Sequence, residues 1–199
     1  MFERSINCRY IDPLSAIWIE VARRFGLTIE RSDQVYASTD GEGTLTLGVD
    51  ATLDADDSLA QMIFHELCHS LIQGEDMLHE PDWGLFNTDD RDHARELACI
   101  RLQAILADEY GLREFFAPTT DFRLAYDAFP ADPREGAREL LPLIEAGYAR
   151  ISRPPWHPHL RAGLEATAKI LDVLDDFGAL EAGGTEAQPS LSSRYQRRR

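Results

Sequence analysis

Ser58-Leu59-Ala60-Gln61-Met62-Ile63-Phe64-His65-Glu66-Leu67-Cys68-His69-Ser70-Leu71-Ile72-Gln73 is the stretch on which the reading of this chain turns. Leu59, Ile63, Leu67 and Leu71 recur every four residues, an apolar stripe that faces a core. Met62, His65, His69 and Ile72 form the neighbouring stripe, which sets both histidines on the flank of that core instead of in open water. The acidic cluster Asp54-Ala55-Asp56-Asp57-Ser58 suits a helix N-terminus, and Gly74 ends the pattern. The spacing predicts a helix from about Ser58 to Gln73.

Working outward, Leu14, Ile17, Trp18, Val21 and Phe25 recur at three and four, an amphipathic helix over 12–25 closed by Gly26. Leu27–Arg31 and Gln34–Ser38 are short and rich in β-formers. Thr39-Asp40-Gly41-Glu42-Gly43 is turn chemistry, and Thr44–Val49 alternates as a strand does. A small antiparallel sheet between residues 27 and 50 is the expectation. Downstream, Glu75–Asp90 carries Gly, Pro, Asn and Asp and reads as a long loop. A helix then runs from about Asp92 to Tyr110 and stops at Gly111. Further helices are expected near 112–117, 134–151 and 158–177, punctuated by Pro130, Pro133, Pro154, Pro155 and Pro158. From Ala182 onward the Gly, Ser, Gln and Arg content reads as a disordered tail. The expectation is thus one α+β domain over 1–181 with a small sheet and a mainly helical C-terminal half, followed by a tail over 182–199.

The chemistry is concentrated in two helices. His65 and His69 are four apart, so on a helix they stand on one face about 5–6 Å apart. At that separation two imidazoles can share one Zn²⁺ at about 2.0–2.1 Å each. Glu66 projects beside such a metal, where it can take a proton from a zinc-bound water and pass it to a leaving group. This is the HExxH arrangement. The plainer reading is two inert, hydrogen-bonded histidines on a partly buried helix.

A catalytic zinc usually takes three protein ligands and keeps one open position. Glu96 is the choice for the third. It follows His69 at a distance that lets the chain return on the next helix, which is apolar nearly all round: Ala94, Leu97, Ala98, Ile100, Leu102, Ala104, Ile105 and Leu106. Such a helix is buried, and a buried carboxylate needs a partner. Three and four residues away lie Asp92, His93, Cys99 and Ile100, of which only His93 can be cationic. A metal meets the need; an Arg from another element is the alternative. Glu75, His79 and His93 are rival ligands, and Asp89, Asp90 and Asp92 read as caps of the following helix.

His65-Glu66-Leu67-Cys68-His69 together with the downstream Glu96-Leu97-Ala98-Cys99 helix resembles the zincin metallopeptidases of gluzincin type, compact repressor-cleaving versions included. The resemblance covers about residues 44–106. It implies a zincin-like fold, a water-activating zinc held by His65, His69 and Glu96, Glu66 as general base, and a peptide or protein substrate. It also implies that the strand ending near Asp50 is an edge strand along the substrate cleft. One zincin branch places its last ligand where Glu75 stands, but needs a Gly at the position of Ile72. Many gluzincins carry an Asp four residues after the ligand Glu to orient a ligating His. Here that position is Ile100, so the support must come from elsewhere. For the group that steadies an oxyanion, His157, His159, Tyr126 and Tyr148 are the candidates, Trp156-His157-Pro158-His159 being a Pro-rich corner packed by its Trp.

Bulk properties bound the rest. The net charge of −15 repels phosphate backbones, so nucleic acid is not an expected partner. The same field favours basic or neutral peptides over acidic ones, and the acidic loop 74–90 is placed to gate or select them. No run approaches the roughly 18–20 apolar residues of a membrane helix, and Met1–Phe25 has no secretory apolar stretch, so a cytoplasmic protein is expected. Cys8, Cys68 and Cys99 form no CxxC pair, which leaves free thiols as the expectation, Cys68 and Cys99 lying close to proposed ligands. Two further readings stay open: zinc hydrolysis of a non-peptide substrate, and a binding or regulatory module that keeps the fold without turnover.

Overall fold

The computed structural model describes residues 8, 10–86, 90–119, 122–180 and 190–197. Helix α1 (Pro13–Phe25) starts where Asp12 accepts from the Leu14 and Ser15 amides, with Pro13 supplying a preset helical φ. It ends at Gly26, whose φ of 108° is left-handed backbone that favours glycine. Three short strands follow: β1 (Thr28–Ser32), β2 (Ala37–Thr39) and β3 (Thr44–Gly48). The turn between β2 and β3 is held by Asp40, whose carboxylate accepts from the Glu42 and Thr44 amides at 2.7 and 2.8 Å.

The sheet is mixed, not antiparallel. Its order is β1-β3-β2, with β3 antiparallel to β2 but parallel to β1, Thr28 facing Thr44 and Ser32 facing Gly48. The chain leaves β1, crosses the end of the sheet, and lays β2 on the far side; the hairpin then returns β3 between them. The strand ending near Asp50 is therefore central, with both edges paired, and cannot be the cleft edge the resemblance implied. The edge strands are β1 and β2. The ladder spends the backbone groups of Tyr36, Ser38 and Asp40 on β3, as the Gly48-to-Tyr36 and Asp40-to-Thr44 bonds show, so Ala37 and Thr39 turn theirs outward.

Helix α2 (Leu59–Gln73) is capped by Ser58, whose hydroxyl accepts from the Gln61 amide, and stops at Gly74. Ile63, Leu67 and Leu71 are fully buried, as the stripe predicts. Helix α2 packs against α1, α3 (His93–Asp108) and α5 (Leu141–Arg150); α6 (His159–Asp176) covers α1. Gly163 makes that last approach possible: a Cβ there would meet Val21 Cγ2 at 2.7 Å. Trp18, Phe64 and Phe116 centre the core at ring separations of 4.8–5.3 Å. The Trp18 and Trp156 indoles donate to Thr167 and Ser70 hydroxyls at 3.0 and 2.9 Å, so neither buried N–H is orphaned.

The C-terminal half departs from expectation in detail. Residues 112–117 form turns instead of a helix, a short α4 (Arg123–Asp127) appears where none was read, and α5 begins at Leu141, not near 134. The segment 112–117 is anchored by side chains, Leu112, Phe115 and Phe116 being buried. Much of the expected tail, 182–189 and 198–199, lies outside the described residues. Residues 190–197 within it pack on α6: the Tyr195 hydroxyl donates to Asp172 at 2.7 Å, and Arg197 pairs with Asp172 and Asp176 at 2.8 and 2.7 Å. No described helix is long and apolar enough to cross a membrane.

Candidate metal centre

Helix α2 brings His65 and His69 to one face, and α3 lies against that face. The two Nε2 atoms are 3.0 Å apart. The Glu96 carboxylate, in the first turn of α3, puts one oxygen 3.5 Å from His65 Nε2 and the other 3.2 Å from His69 Nε2. Ligand atoms on a tetrahedral zinc are separated by about 3.3 Å when each bond is about 2.0–2.1 Å. The three residues thus stand at the spacing one ion requires. His69 is held well below the usual histidine range by burial and by the neighbouring His65, which keeps it neutral with a lone pair to give.

The partner that Ile100 cannot supply to His65 comes from one turn further along α3. Gln103, 1% exposed, sets its Oε1 2.8 Å from His65 Nδ1. Its own amide nitrogen is anchored on the Phe116 carbonyl at 2.5 Å. An amide oxygen can only accept, so Nδ1 carries the proton and Nε2 is left free to ligate. His69 is treated differently: its Nδ1 is buried without a hydrogen-bond partner among the described residues.

Cys99 is a second candidate donor. Its Sγ and the ring nitrogens of His65 and His69 all lie within 4.8 Å of one another. Its thiol, however, points to the His65 backbone carbonyl at 3.8 Å, is fully buried, and is pushed well above the usual thiol range by that burial. Cys68 is buried and raised in the same way. His65, His69 and Glu96 line a cavity of about 600 Å³, and Cys99 is not among its lining residues.

Glu66 lines the same cavity. Burial pushes its carboxyl up to about 7; His65 opposes that rise, while the Glu96 and Asp82 carboxylates add to it and the Trp83 indole on its flank works against it. Trp83 reaches Glu66 from an unusual turn. Asp82, Trp83 and Gly84 are consecutive left-handed residues with φ of 49°, 56° and 72°. Such backbone costs about 1–2 kcal/mol for each residue bearing a Cβ. Two contacts hold it: Asp82 accepts the outward Thr39 amide of β2 at 2.9 Å, and Trp83, 1% exposed, meets Phe25 edge-on at 6.3 Å. The loop 74–90 does border the cavity, through Asp82, Leu85 and Phe86; Asn87–Asp89 lie outside the described residues.

The rival ligands stand elsewhere. Glu75 pairs with Arg150 at 3.4 Å, and His79 is exposed outside the cavity. His93 reaches the cavity wall beside Phe122, at a ring separation of 5.9 Å. None of the four oxyanion candidates lines the cavity. The Tyr126 hydroxyl is buried on the Arg113 carbonyl, Tyr148 donates to Glu109, His157 is exposed, and His159 opens α6. Tyr36 and Thr119 bring hydroxyls and His93 an imidazole to its lining, besides His65 and His69. No protein-family model, curated protein or solved structure matches this chain.

Proposed function

We propose that this chain is a zincin-like, zinc-dependent metallopeptidase in which His65, His69 and Glu96 hold the metal and Glu66 is the general base. One observation carries the reading. Two imidazole nitrogens 3.0 Å apart meet both oxygens of one carboxylate at 3.2 and 3.5 Å in the wall of an open cavity. When bound, zinc supplies Lewis acidity, lowering the pKa of water to about 7 and polarising a carbonyl. Glu66, the carboxylate beside the pair, takes the proton of the attacking water and delivers it to the departing amine as the C–N bond breaks. Gln103 fixes the tautomer of His65, and Trp83 packs the flank of Glu66. The outward N–H and C=O of Ala37, in the same cavity wall, suit an extended peptide backbone.

Metal analysis and hydrolysis of labelled, unfolded casein test this together. About one zinc per chain is expected, lost in the His65→Ala/His69→Ala variant. Glu66→Gln keeps the zinc but cleaves at least about 100-fold more slowly; equal cleavage by that variant removes Glu66 from the chemistry. The unpartnered His69 Nδ1 favours a second reading, a zinc-holding module without turnover. Full zinc occupancy with no hydrolysis by the wild type supports it.

A further inference from the structure

We propose that the end of the cavity nearest the start of α2 is a subsite for a basic side chain of the substrate, built on Asp57 and Gln61. The peptidase reading supplies what carries that side chain; the chemistry of the subsite is independent of it. Gln61, His65 and His69 follow one another at intervals of four on α2 and form one stripe, Asp57 lies just before the Ser58 cap, and all four line the cavity. Each interval rises about 6 Å along the helix. The subsite therefore lies one to two turns from the imidazole pair, within reach of a long side chain near the scissile bond.

Two acceptors at this end of the cavity stand out, one with only neutral donors and one with none among the described residues. The Asp57 carboxylate is fixed by neutral groups: the Tyr36 hydroxyl at 2.7 Å, the Asp54 amide at 2.8 Å and the Thr119 hydroxyl. No cation pairs with it among the described residues. Gln61 is only 6% exposed. Its Nε2 donates to the Ala117 carbonyl at 3.3 Å, which leaves Oε1 buried with no donor among the described residues. A buried acceptor left unmade is costly, so the site is incomplete without a donor-bearing ligand. Tyr36 and Phe122 add aromatic faces to this wall, and no Arg or Lys lines the cavity among the described residues. Positive charge, several N–H donors and a stem that rests on aromatic rings describe arginine, or lysine, and exclude acidic side chains.

The test is binding to the zinc-loaded Glu66→Gln protein, measured by calorimetry. The probes are blocked hexapeptides of alternating alanine and serine with one arginine, or with citrulline or glutamate in its place. Citrulline keeps the shape and removes the charge. The arginine peptide is expected to bind about tenfold tighter than the citrulline form, and the glutamate form most weakly. Asp57→Asn should bring the arginine-to-citrulline ratio close to one. Should that variant not fold, Gln61→Leu takes its place and is expected to lower the ratio about threefold. Equal affinities for arginine and citrulline, or a ratio untouched by the folded variant, overturn the subsite. Wild-type protein that cleaves all three peptides alike removes the subsite and leaves the peptidase; arginine preference in binding without any cleavage does the reverse.

Discussion

Gln103 lies seven residues after Glu96, which puts the two on one face of α3. Its amide holds the ring of His65, so Gln103→Leu leaves that proposed ligand free to rotate. A 10–100-fold loss of zinc affinity is expected, read by competition with a chromophoric chelator. The same assay decides between the two donor sets. Cys99→Ser is expected to leave zinc affinity within about threefold, because its thiol is turned to a backbone carbonyl, whereas Glu96→Gln should weaken it about tenfold or more. A larger loss in the serine variant would give the third position to sulfur. The histidine pair was legible from spacing, because a helix converts an interval of four into contact; Glu66 came with the HExxH pattern, and Glu96 with its place on a helix apolar nearly all round. Gln103 carried a signal too, an amide in a stretch otherwise apolar but for Arg101. Tyr36 and Thr119 carried none, since they reach Asp57 across 21 and 62 residues of chain.

Helices α1 and α2 read cleanly because their caps and stripes are local: Ser58 and Gly74 bound α2, and Asp12 and Gly26 bound α1. Removing the α2 cap with Ser58→Ala is expected to cost about 1 kcal/mol in urea unfolding. The sheet did not read cleanly. Whether β3 pairs with β1 as well as β2, and in which direction, depends on where the chain crosses the sheet end, and no residue in β1 records that. The left-handed turn at Asp82-Trp83-Gly84 was equally hidden, because only the glycine announces positive φ. Tertiary contacts sustain the other two residues. Trp83→Ala removes the largest of those contacts and is expected to destabilise the fold by about 3 kcal/mol or more by the same measurement. A loss under about 1 kcal/mol would mean that the turn is held by something other than the indole.

At the scale of the molecule, composition anticipated the acidic balance but missed the docking of residues 190–197. Asp172, Asp175 and Asp176 on α6 present one acidic patch, and Arg197 reaches it across more than 20 residues. The Asp172 carboxyl is held below the usual range by Arg197 and then by Tyr195, and that of Asp176 by Arg197. A lowered folded value means that the docking is complete above the ordinary carboxylate value of about 3.9 and is lost as pH falls below it. The Arg197 side-chain NMR signal should therefore hold its position down to about pH 4 and move to the free-arginine position on further acidification. A signal already at the free position near neutral pH would show the segment undocked.

The outer margin of β2 is shorter than it looks. Asp82 already occupies the Thr39 amide, and the Tyr36 carbonyl is committed to β3, so among the described residues of β2 Ala37 alone keeps both outward backbone groups for an incoming chain. A visiting strand can lock on at a single place, and sliding by one residue would turn every side chain to the opposite face. Reading frame would then be dictated by one alanine's backbone, which no side-chain substitution at that position can erase except proline.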